Sequence, residues 1–524
     1  MQLLPRGFKA GHVIKDFKST GEVCQAPGRL RKPGIRNNGR KENRKWPAEV
    51  GWPNSTQQKK SGGSRERPVL AGQPCKVISK RKHNLYAETG EIMETKLARI
   101  SQLSSEHPEM VFTSIGHLIN KELLKECHKE MDGKKAVGID GITKEDYEVN
   151  LEENLDELIR KMKKKAYKPK PAKRVEIPKE NGKTRPLSIS CYEDKLVQEA
   201  LRRILEAVFE PHFYEEMMGF RPGRNCHMAL RRLNGMLERE KTNWVLDADI
   251  KGFFDHLDHE WIVKFIESRI KDPTIIRLVR RMLKAGIMRD FRYEETEEGA
   301  GQGSDCSPVI ANIYMHYVLI WWFREKVQPV MRGYAGLVVY ADDFVGCFQY
   351  KSDAEIFYEH LKRRMKYFGL ELEESKTRLI EFGRFAESNR KDRGKGRPET
   401  FTFLGFTHYC SHGRRGKFRV KRKTSKKKLA KKSREINAMI RDMRFLEINR
   451  IVKKLNEVLT GYYHYYGITD NSRSLNSFNN VVWFRLFYWL NRRSQRRSYT
   501  KEGYKELMRQ FPLVRPRIYV SIYG

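Results

Sequence analysis

The sequence predicts an α+β protein with several domains, and three observations support this fold class. Apolar, β-branched runs that end in carboxylates or enclose them, at 244–249 and 337–346, predict strands. Apolar residues at helical spacing, in 195–209, 448–462 and 475–489, predict helices. A chain of 524 residues is also too long for a single hydrophobic core.

Along the chain we expect four parts. Residues 1–88 are rich in Lys, Arg, Gly, Pro and Ser, which predicts a basic arm that is disordered or bound to RNA. Residues 89–408 are globular and begin with a helix over 111–124. Residues 409–490 carry a Lys-rich run and two amphipathic helices, and 491–524 form a short basic tail.

The most informative stretch is 337–346, where Asp342 and Asp343 lie between two strand-forming runs. This pattern predicts a β-hairpin with two carboxylates at its turn. Adjacent carboxylates are tolerated there when a divalent cation shares them, and Mg²⁺ prefers oxygen ligands. For the pair taken alone, a solvated turn is the alternative, because Asp is common in turns.

A third carboxylate, Asp249, ends the apolar strand upstream. Enzymes that join nucleotides use two metal ions about 4 Å apart, and carboxylates from neighbouring strands hold them. We therefore expect Asp249, Asp342 and Asp343 to be catalytic and to bind two Mg²⁺ ions, with the Ile250 carbonyl as a further ligand. This arrangement is that of a polymerase palm.

These motifs resemble those of reverse transcriptases. Residues 340–343, Tyr-Ala-Asp-Asp, match the Tyr-x-Asp-Asp box of that family, and Asp249 with Phe254 matches its upstream aspartate and aromatic gate. The resemblance implies a right-hand polymerase fold with fingers and palm, followed by a three-helix basic thumb. It also implies an RNA-directed DNA polymerase, which is a nucleotidyltransferase that copies an RNA template from a DNA primer with deoxynucleoside triphosphates.

The same resemblance assigns five residues to nucleotide binding. Lys179 and Arg185, in a fingertip hairpin, would grip the triphosphate by charge-assisted hydrogen bonds. Phe254 would lie under the sugar and exclude a 2′ hydroxyl, while Phe253 points to the core by strand alternation. Gln302 would orient the nucleotide, and Lys376 would donate a proton to pyrophosphate or act as a structural cation.

Within that superfamily the chain is most similar to group II intron reverse transcriptases, also called maturases. Residues 138–141, Gly-Ile-Asp-Gly, and the Gly-Phe-Arg-Pro-x-Arg segment 219–224 follow that family's pattern. The basic region 421–497 resembles its domain X, and the tail 491–524 is similar to its DNA-binding domain. The resemblance implies three partners: the intron RNA, which the protein helps to splice and copies in retromobility, an RNA template with its DNA primer, and target DNA.

Eleven basic residues are expected to contact nucleic acid. They are Arg221, Arg224, Lys421, Arg422, Lys423, Lys426, Lys427, Arg492, Arg493, Arg496 and Arg497. The Lys-rich run lies where a thumb would meet a duplex, so phosphate contact is favoured there over a merely solvated face.

The chain departs from the family pattern at three points. Ala300-Gly301 stands where Thr-Pro is usual, and Asp305 adds a negative charge near the triphosphate site, so weakened activity or altered metal dependence is expected. The chain stops at Gly524 without a Cys-rich endonuclease module, so we expect no endonuclease domain. The alternatives are a splicing maturase with weak or lost polymerisation, and a reverse transcriptase co-opted for host defence or repair.

Composition agrees with a nucleic-acid partner. The net charge is +38, from 104 Lys plus Arg against 66 Asp plus Glu. The eight cysteines form no Cys-x-x-Cys pair, which argues against zinc and disulfides. No apolar run approaches the roughly 20 residues of a membrane span. We expect a cytoplasmic protein of bacteria, associated with the nucleoid rather than with an organelle.

Overall fold

The computed structural model describes residues 87–524 except for 179–183, 290, 291, 297, 302, 414, 497 and 524. Most of the predicted N-terminal arm lies outside the described residues. The helices are α1 Ala87–Glu106, α2 Lys121–Glu130, α3 Lys144–Glu148, α4 Leu151–Lys163, α5 Tyr192–Phe209, α6 Cys226–Glu238, α7 His259–Glu267, α8 Pro273–Leu283, α9 Ser307–Met315, α10 Lys351–Tyr367, α11 Ala386–Asp392, α12 Lys426–Met443, α13 Ile448–Tyr466, α14 Ser472–Leu490 and α15 Lys501–Gln510. The strands are β1 Ala172–Pro178, β2 Thr184–Ile189, β3 Trp244–Asp249, β4 Ile287–Arg289, β5 Arg292–Glu294, β6 Ala335–Tyr340, β7 Asp343–Phe348, β8 Arg378–Glu381, β9 Phe401–Phe403, β10 Phe406–His412 and β11 Phe418–Thr424. This mixture of helix and strand confirms the α+β class.

The strands form three sheets. The central sheet has the order β6-β7-β3-β8, and the other two have the orders β2-β1-β4-β5 and β11-β10-β9. In the central sheet α6 packs against the face that carries Val245 and Val345, while α10 packs against the face that carries Leu246 and Phe344. Because both faces are covered, the sheet is a rigid base for the turns at its edge.

Near the start of the described chain the helices differ from the prediction. The apolar positions between 111 and 124 do not form one helix, because Asn120 accepts a hydrogen bond from the Leu123 N–H and starts α2 at Lys121. Gly116–Leu118 is a 3-10 turn, and Phe112 bridges to Ile270. The helix α1, which precedes this region, was not predicted from the sequence.

In the described residues beyond β11, four helices share one hydrophobic core, where the sequence predicted a bundle of three. The fourth helix, α15, places the fully buried Tyr504 in that core, and its hydroxyl donates to the Trp483 carbonyl at 2.9 Å. Tyr462 and Tyr463 are buried in the same core rather than exposed for base stacking. None of the described helices combines the length and apolar character needed to cross a bilayer.

A buried arginine compensates for irregular backbone after α9. There the chain continues as π-helix over His316–Trp321, which interrupts the regular pattern of backbone hydrogen bonds. The guanidinium of Arg364, from α10, donates to the carbonyls of Val318 and Tyr317 and stacks on Trp322. Burial lowers the pKa of Arg364 to about 9, so the group still carries its charge at neutral pH.

We expect Arg364→Met to lower the free energy of unfolding by about 2–4 kcal/mol, because two buried carbonyls would lose their charged donor. Arg363→Met is the matched control, since Arg363 is exposed on the same helix. Chemical denaturation of both variants measures the difference. Equal stability of the two variants would contradict a structural role for Arg364.

Candidate active site

The predicted hairpin is present. It brings Asp342 and Asp343 next to Asp249, so that the three carboxylates meet at one end of the central strands. Tyr340 pairs with Asp343 across the hairpin, so Ala341 and Asp342 form a two-residue turn. On the other side of β7, Asp343 pairs with Asp249 at the end of β3. The structure thus brings together the acids that lie far apart in the sequence.

Burial and neighbouring charges raise the pKa values of the two hairpin carboxyls. Burial, together with the charges of Asp247, Asp342 and Asp249, raises the pKa of Asp343 well above its ordinary value. Burial and the charge of Asp249 also raise the pKa of Asp342, and nearby Arg185 opposes this shift. The site therefore carries negative charge that its own cations only partly balance.

Two of the predicted nucleotide-binding cations lie at this edge. The Lys376 ammonium contacts the Asp249 carboxylate, and the Lys376 side chain remains 63% exposed. Partial burial lowers the pKa of Lys376, and the hydrogen bond and charge of Asp249 raise it. Together these effects leave the pKa above its ordinary value. Arg185 lies on β2 opposite Ile177, in the predicted fingertip hairpin. Lys179 and Gln302 fall outside the described residues.

The aromatic pair after Asp249 differs in backbone from the prediction. Phe253 and Phe254 lie in a 3-10 turn, Phe253–Asp255, so strand alternation does not separate them. Both are buried, with 2% and 8% of their surfaces exposed, and Phe254 meets the exposed Phe220 edge to face at 6.4 Å. Phe254 is thus the ring of this pair that lies nearer the surface.

The segment 216–219 supports the hairpin turn, a role that sequence reasoning did not assign. It forms backbone hydrogen bonds along the outer edge of β6. The Met218 N–H donates to the Val339 carbonyl at 2.9 Å, and the Val339 N–H donates to the Glu216 carbonyl at 2.8 Å. Gly219 lies so close that an added Cβ would be 2.5 Å from the Ala341 nitrogen. Ala341 has φ +58°, so this turn is strained as well as closely packed.

A second turn contacts the site from the other side. Leu404 and Gly405 join β9 to β10 with φ +49° and +78°, and the Leu404 N–H hydrogen-bonds Asp343. The hydroxyl of Tyr465, from α13, donates to the Leu404 carbonyl at 3.0 Å. The helical bundle therefore reaches the Asp343 carboxylate through one backbone residue, a long-range contact that no local sequence pattern signals.

The oxygen atoms at this site decide which metal it could hold. In the part of the chain that the structure describes, no three His, Cys, Asp or Glu side chains form a ready metal-binding cluster. The donor chemistry nevertheless suits Mg²⁺, since oxygen ligands with uncompensated negative charge surround the site. A β-bridge links Ile250 to Leu372 through two backbone hydrogen bonds, from the Lys251 N–H to the Glu371 carbonyl and from the Glu373 N–H to the Asp249 carbonyl. The Ile250 carbonyl takes no part in this bridge.

Two residues expected to contact nucleic acid are structural instead. Arg221 is buried and bonds Glu210 and the carbonyls of Tyr214 and Met217. Arg422 is fully buried because 418–424 is a strand, in which alternate side chains face inward. For these two arginines the prediction is wrong.

The other basic residues have more accessible positions. Arg224 is partly exposed and pairs with Glu215, Lys421 and Lys423 face outward from β11, and Lys426 and Lys427 begin α12. Among the tail arginines, Arg492 and Arg496 are exposed, Arg493 is half-buried, and Arg497 lies outside the described residues. Their contact with nucleic acid stays a prediction.

The acidic departure from the family pattern has a local partner. The Asp305 carboxylate accepts two contacts from the Lys135 ammonium, at 2.9 and 3.0 Å. Its charge is therefore balanced before any triphosphate binds. Ala300 keeps a defined backbone position as well, because its N–H donates to the Phe254 carbonyl at 2.9 Å.

Comparison with known proteins agrees with this architecture. Residues 177–408 match the family model for reverse transcriptase (RNA-dependent DNA polymerase). Residues 426–510, which contain the helical bundle, match the model for the group II intron, maturase-specific domain. These matches define the class as a reverse transcriptase joined to a maturase-specific domain. The chain is thus similar to group II intron reverse transcriptases that carry a maturase-specific domain.

Similar proteins occur in bacteria, in fungi and in plants. Group II intron-encoded protein LtrA of Lactococcus lactis is 31% identical over 303 residues, which are 56% of this chain and 50% of that protein. A 91 kDa protein in the cob intron of Schizosaccharomyces pombe is 34% identical over 224 residues, covering 42% of this chain and 28% of the relative. Protein YkfC of Escherichia coli is 31% identical over 244 residues, which are 41% of this chain and 63% of that protein. The chain thus spans about half the length of LtrA.

Proposed function

We propose that this chain is an RNA-directed DNA polymerase encoded by a group II intron, which also binds the intron RNA as a maturase. The observation that carries the proposal is the register of the central sheet, which pairs Asp343 with both Asp249 and Tyr340. The carboxylates meet at the ends of neighbouring strands, which is the arrangement that a polymerase uses to hold two metal ions. In this reading 89–408 are the fingers and palm of a right hand, and the helical bundle is the thumb.

In the proposed reaction Asp249, Asp342, Asp343 and the Ile250 carbonyl would hold two Mg²⁺ ions. When bound, the ions lower the pKa of the attacking 3′ hydroxyl and neutralise the triphosphate. Arg185 and Lys376 add positive charge around the phosphates. Since the pKa of Lys376 is raised, its ammonium is protonated at neutral pH and available to the departing pyrophosphate. Catalysis is then mainly positioning and electrostatics.

Phe254 sets the sugar preference in this proposal. We expect Phe254→Ala to admit ribonucleotides, lowering the preference for deoxynucleotides at least about tenfold, because the ring no longer fills the space of a 2′ hydroxyl. Single-nucleotide incorporation with dCTP and CTP measures the ratio. Phe220→Ala is the control, since Phe220 is 48% exposed and the centre of its ring lies 6.4 Å from that of Phe254. An unchanged ratio in Phe254→Ala would contradict the assignment.

The maturase part of the proposal rests on the C-terminal match. The maturase-specific region contributes the four-helix bundle. We propose that it binds the intron RNA, assists splicing and keeps that RNA in place to be copied at a DNA target. Because LtrA and YkfC come from bacteria, the proposal places this activity in the bacterial cytoplasm near the nucleoid.

Primer extension tests the proposal directly. The purified protein, given an RNA template, a DNA primer, Mg²⁺ and deoxynucleotides, should extend the primer, and Asp342→Ala should reduce extension at least about a hundredfold. Asp442→Ala, an exposed acid on α12, is the matched control and should retain activity. No extension by the natural protein would overturn the polymerase assignment, and a splicing assay with intron RNA would then test the maturase role alone.

A further inference from the structure

The helical bundle exposes aromatic rings on α14 and in the connection between α12 and α13, in contrast to the buried Tyr462 and Tyr463 of α13. Phe484 and Tyr488 lie one turn apart on α14, with 62% and 39% of their surfaces exposed. Phe445, in the connection between α12 and α13, is 65% exposed. Large rings are seldom left this open without a binding role when they cluster.

Arginines bring these rings into one surface. The guanidinium of Arg444 lies 4.2 Å from the centre of the Phe445 ring and 5.8 Å from that of Trp489. Since Trp489 meets Tyr488 edge to face at 5.1 Å, the connection and the end of α14 are joined. Arg492 lies over Tyr488 at 4.3 Å. We call Phe445, Phe484, Tyr488, Arg444 and Arg492 the aromatic platform.

The charge around the platform favours an anionic partner. Arg485 is exposed on α14, next to Phe484 in the sequence. Arg493 donates to the Leu446 carbonyl at 2.9 Å, which holds the two segments together. The nearby acids Asp442 and Glu447 are each paired with an arginine. Aromatic rings interleaved with arginines are the surface that stacks unpaired bases, since the rings take the bases and the guanidinium groups take the phosphates.

We propose that the aromatic platform binds unpaired bases of RNA, such as those of a loop or bulge. This inference deepens the proposed maturase role and rests on it for the identity of the RNA, but not for the binding itself. A duplex hides its bases in the stack, so the platform should distinguish single-stranded RNA from double-stranded RNA.

The test uses the full chain with two probes, a fluorescein-labelled 12-nucleotide oligouridylate and a 12-base-pair RNA duplex. Phe445→Ala with Tyr488→Ala should weaken oligouridylate binding at least about tenfold and duplex binding less than about twofold. Tyr488→Trp should keep the affinity, because it keeps a stacking ring. Phe385→Ala is the matched control, since that ring is 55% exposed at the start of α11.

Three results would overturn the proposal. The first is an unchanged oligouridylate affinity in the double variant, and the second is an equal loss of affinity for both probes. The third is a change of oligomeric state without a change in RNA affinity, because this result would assign the platform to contact between protein molecules. Primer extension on a pre-annealed template separates this inference from the polymerase assignment. If the natural protein does not extend a primer, the polymerase proposal fails while the platform is still judged by the binding ratio.

Discussion

Asp343→Asn should abolish primer extension while making the metal-free protein more stable. Activity should fall at least about a thousandfold, because the substitution removes a charge from the site that would hold Mg²⁺. Stability should rise by about 1 kcal/mol, since burial and the charges of Asp247, Asp342 and Asp249 disfavour the ionised form of the natural carboxyl. The amide can still accept the hydrogen bond from the Leu404 N–H.

The same carboxylate sets a pH dependence whose sign is fixed. The pKa of Asp343 is higher in the folded protein than in the unfolded chain, so the folded state binds the proton more tightly. Stability is therefore lost as the pH rises from about 4, the unfolded value, through the folded pKa. Burial raises the pKa of Asp194 and of Asp247 to about 6, and both act in the same direction.

Thermal unfolding in EDTA at pH 5 and pH 8 measures this effect. The natural protein should lose more stability between the two values than Asp343→Asn, in which only the other carboxyls remain. Added Mg²⁺ at pH 8 should stabilise the natural protein and leave the variant almost unchanged. An equal pH response of both proteins would show that the Asp343 carboxyl does not have a raised pKa in the folded protein.

Gly219→Val should disable the enzyme without touching any carboxylate. The added atoms would meet the Ala341 nitrogen at 2.5 Å and the Tyr340 carbonyl carbon at 3.1 Å, and both belong to backbone that cannot swing aside. Moving the turn displaces Asp342 and Asp343, so primer extension should fall at least about a hundredfold. Overpacking should also lower the free energy of unfolding by about 1–3 kcal/mol.

Gly235→Ala is the control for this glycine. Gly235 lies within α6, where an added Cβ meets no atom within 4 Å, so alanine should stabilise the helix slightly and leave activity intact. Circular dichroism establishes that Gly219→Val is folded at the assay temperature. Full activity of the folded variant would mean that the segment 216–219 does not fix the turn.

The sequence predicted those features of the site that are local patterns. Apolar, β-branched runs next to acids predicted the strands of the hairpin and of Asp249, and helical spacing predicted α13 and α14. Long-range packing decided the rest. The burial of Arg221 and Arg422 depends on Glu210 and on strand β11, neither of which a count of basic residues can reveal.

Helix starts were also difficult to predict where capping competed with periodicity. The apolar spacing across 111–124 is compatible with one helix, but the Asn120 side chain satisfies the first free N–H groups and begins α2 later. Similarly, the Phe253–Asp255 turn follows Gly252 at φ +55°, which ends the strand before alternation can apply.

The hydrogen bond from Tyr465 to Leu404 bears on how such a protein can change over time. It joins the two regions that match separate families, and it ends on a backbone carbonyl, which every residue type supplies. Position 404 can therefore vary in side chain without losing the link, whereas position 465 needs a hydroxyl at the right reach. A bundle taken from a distant homologue would keep this link wherever it carries a tyrosine at the position of Tyr465, whatever residue stands at position 404.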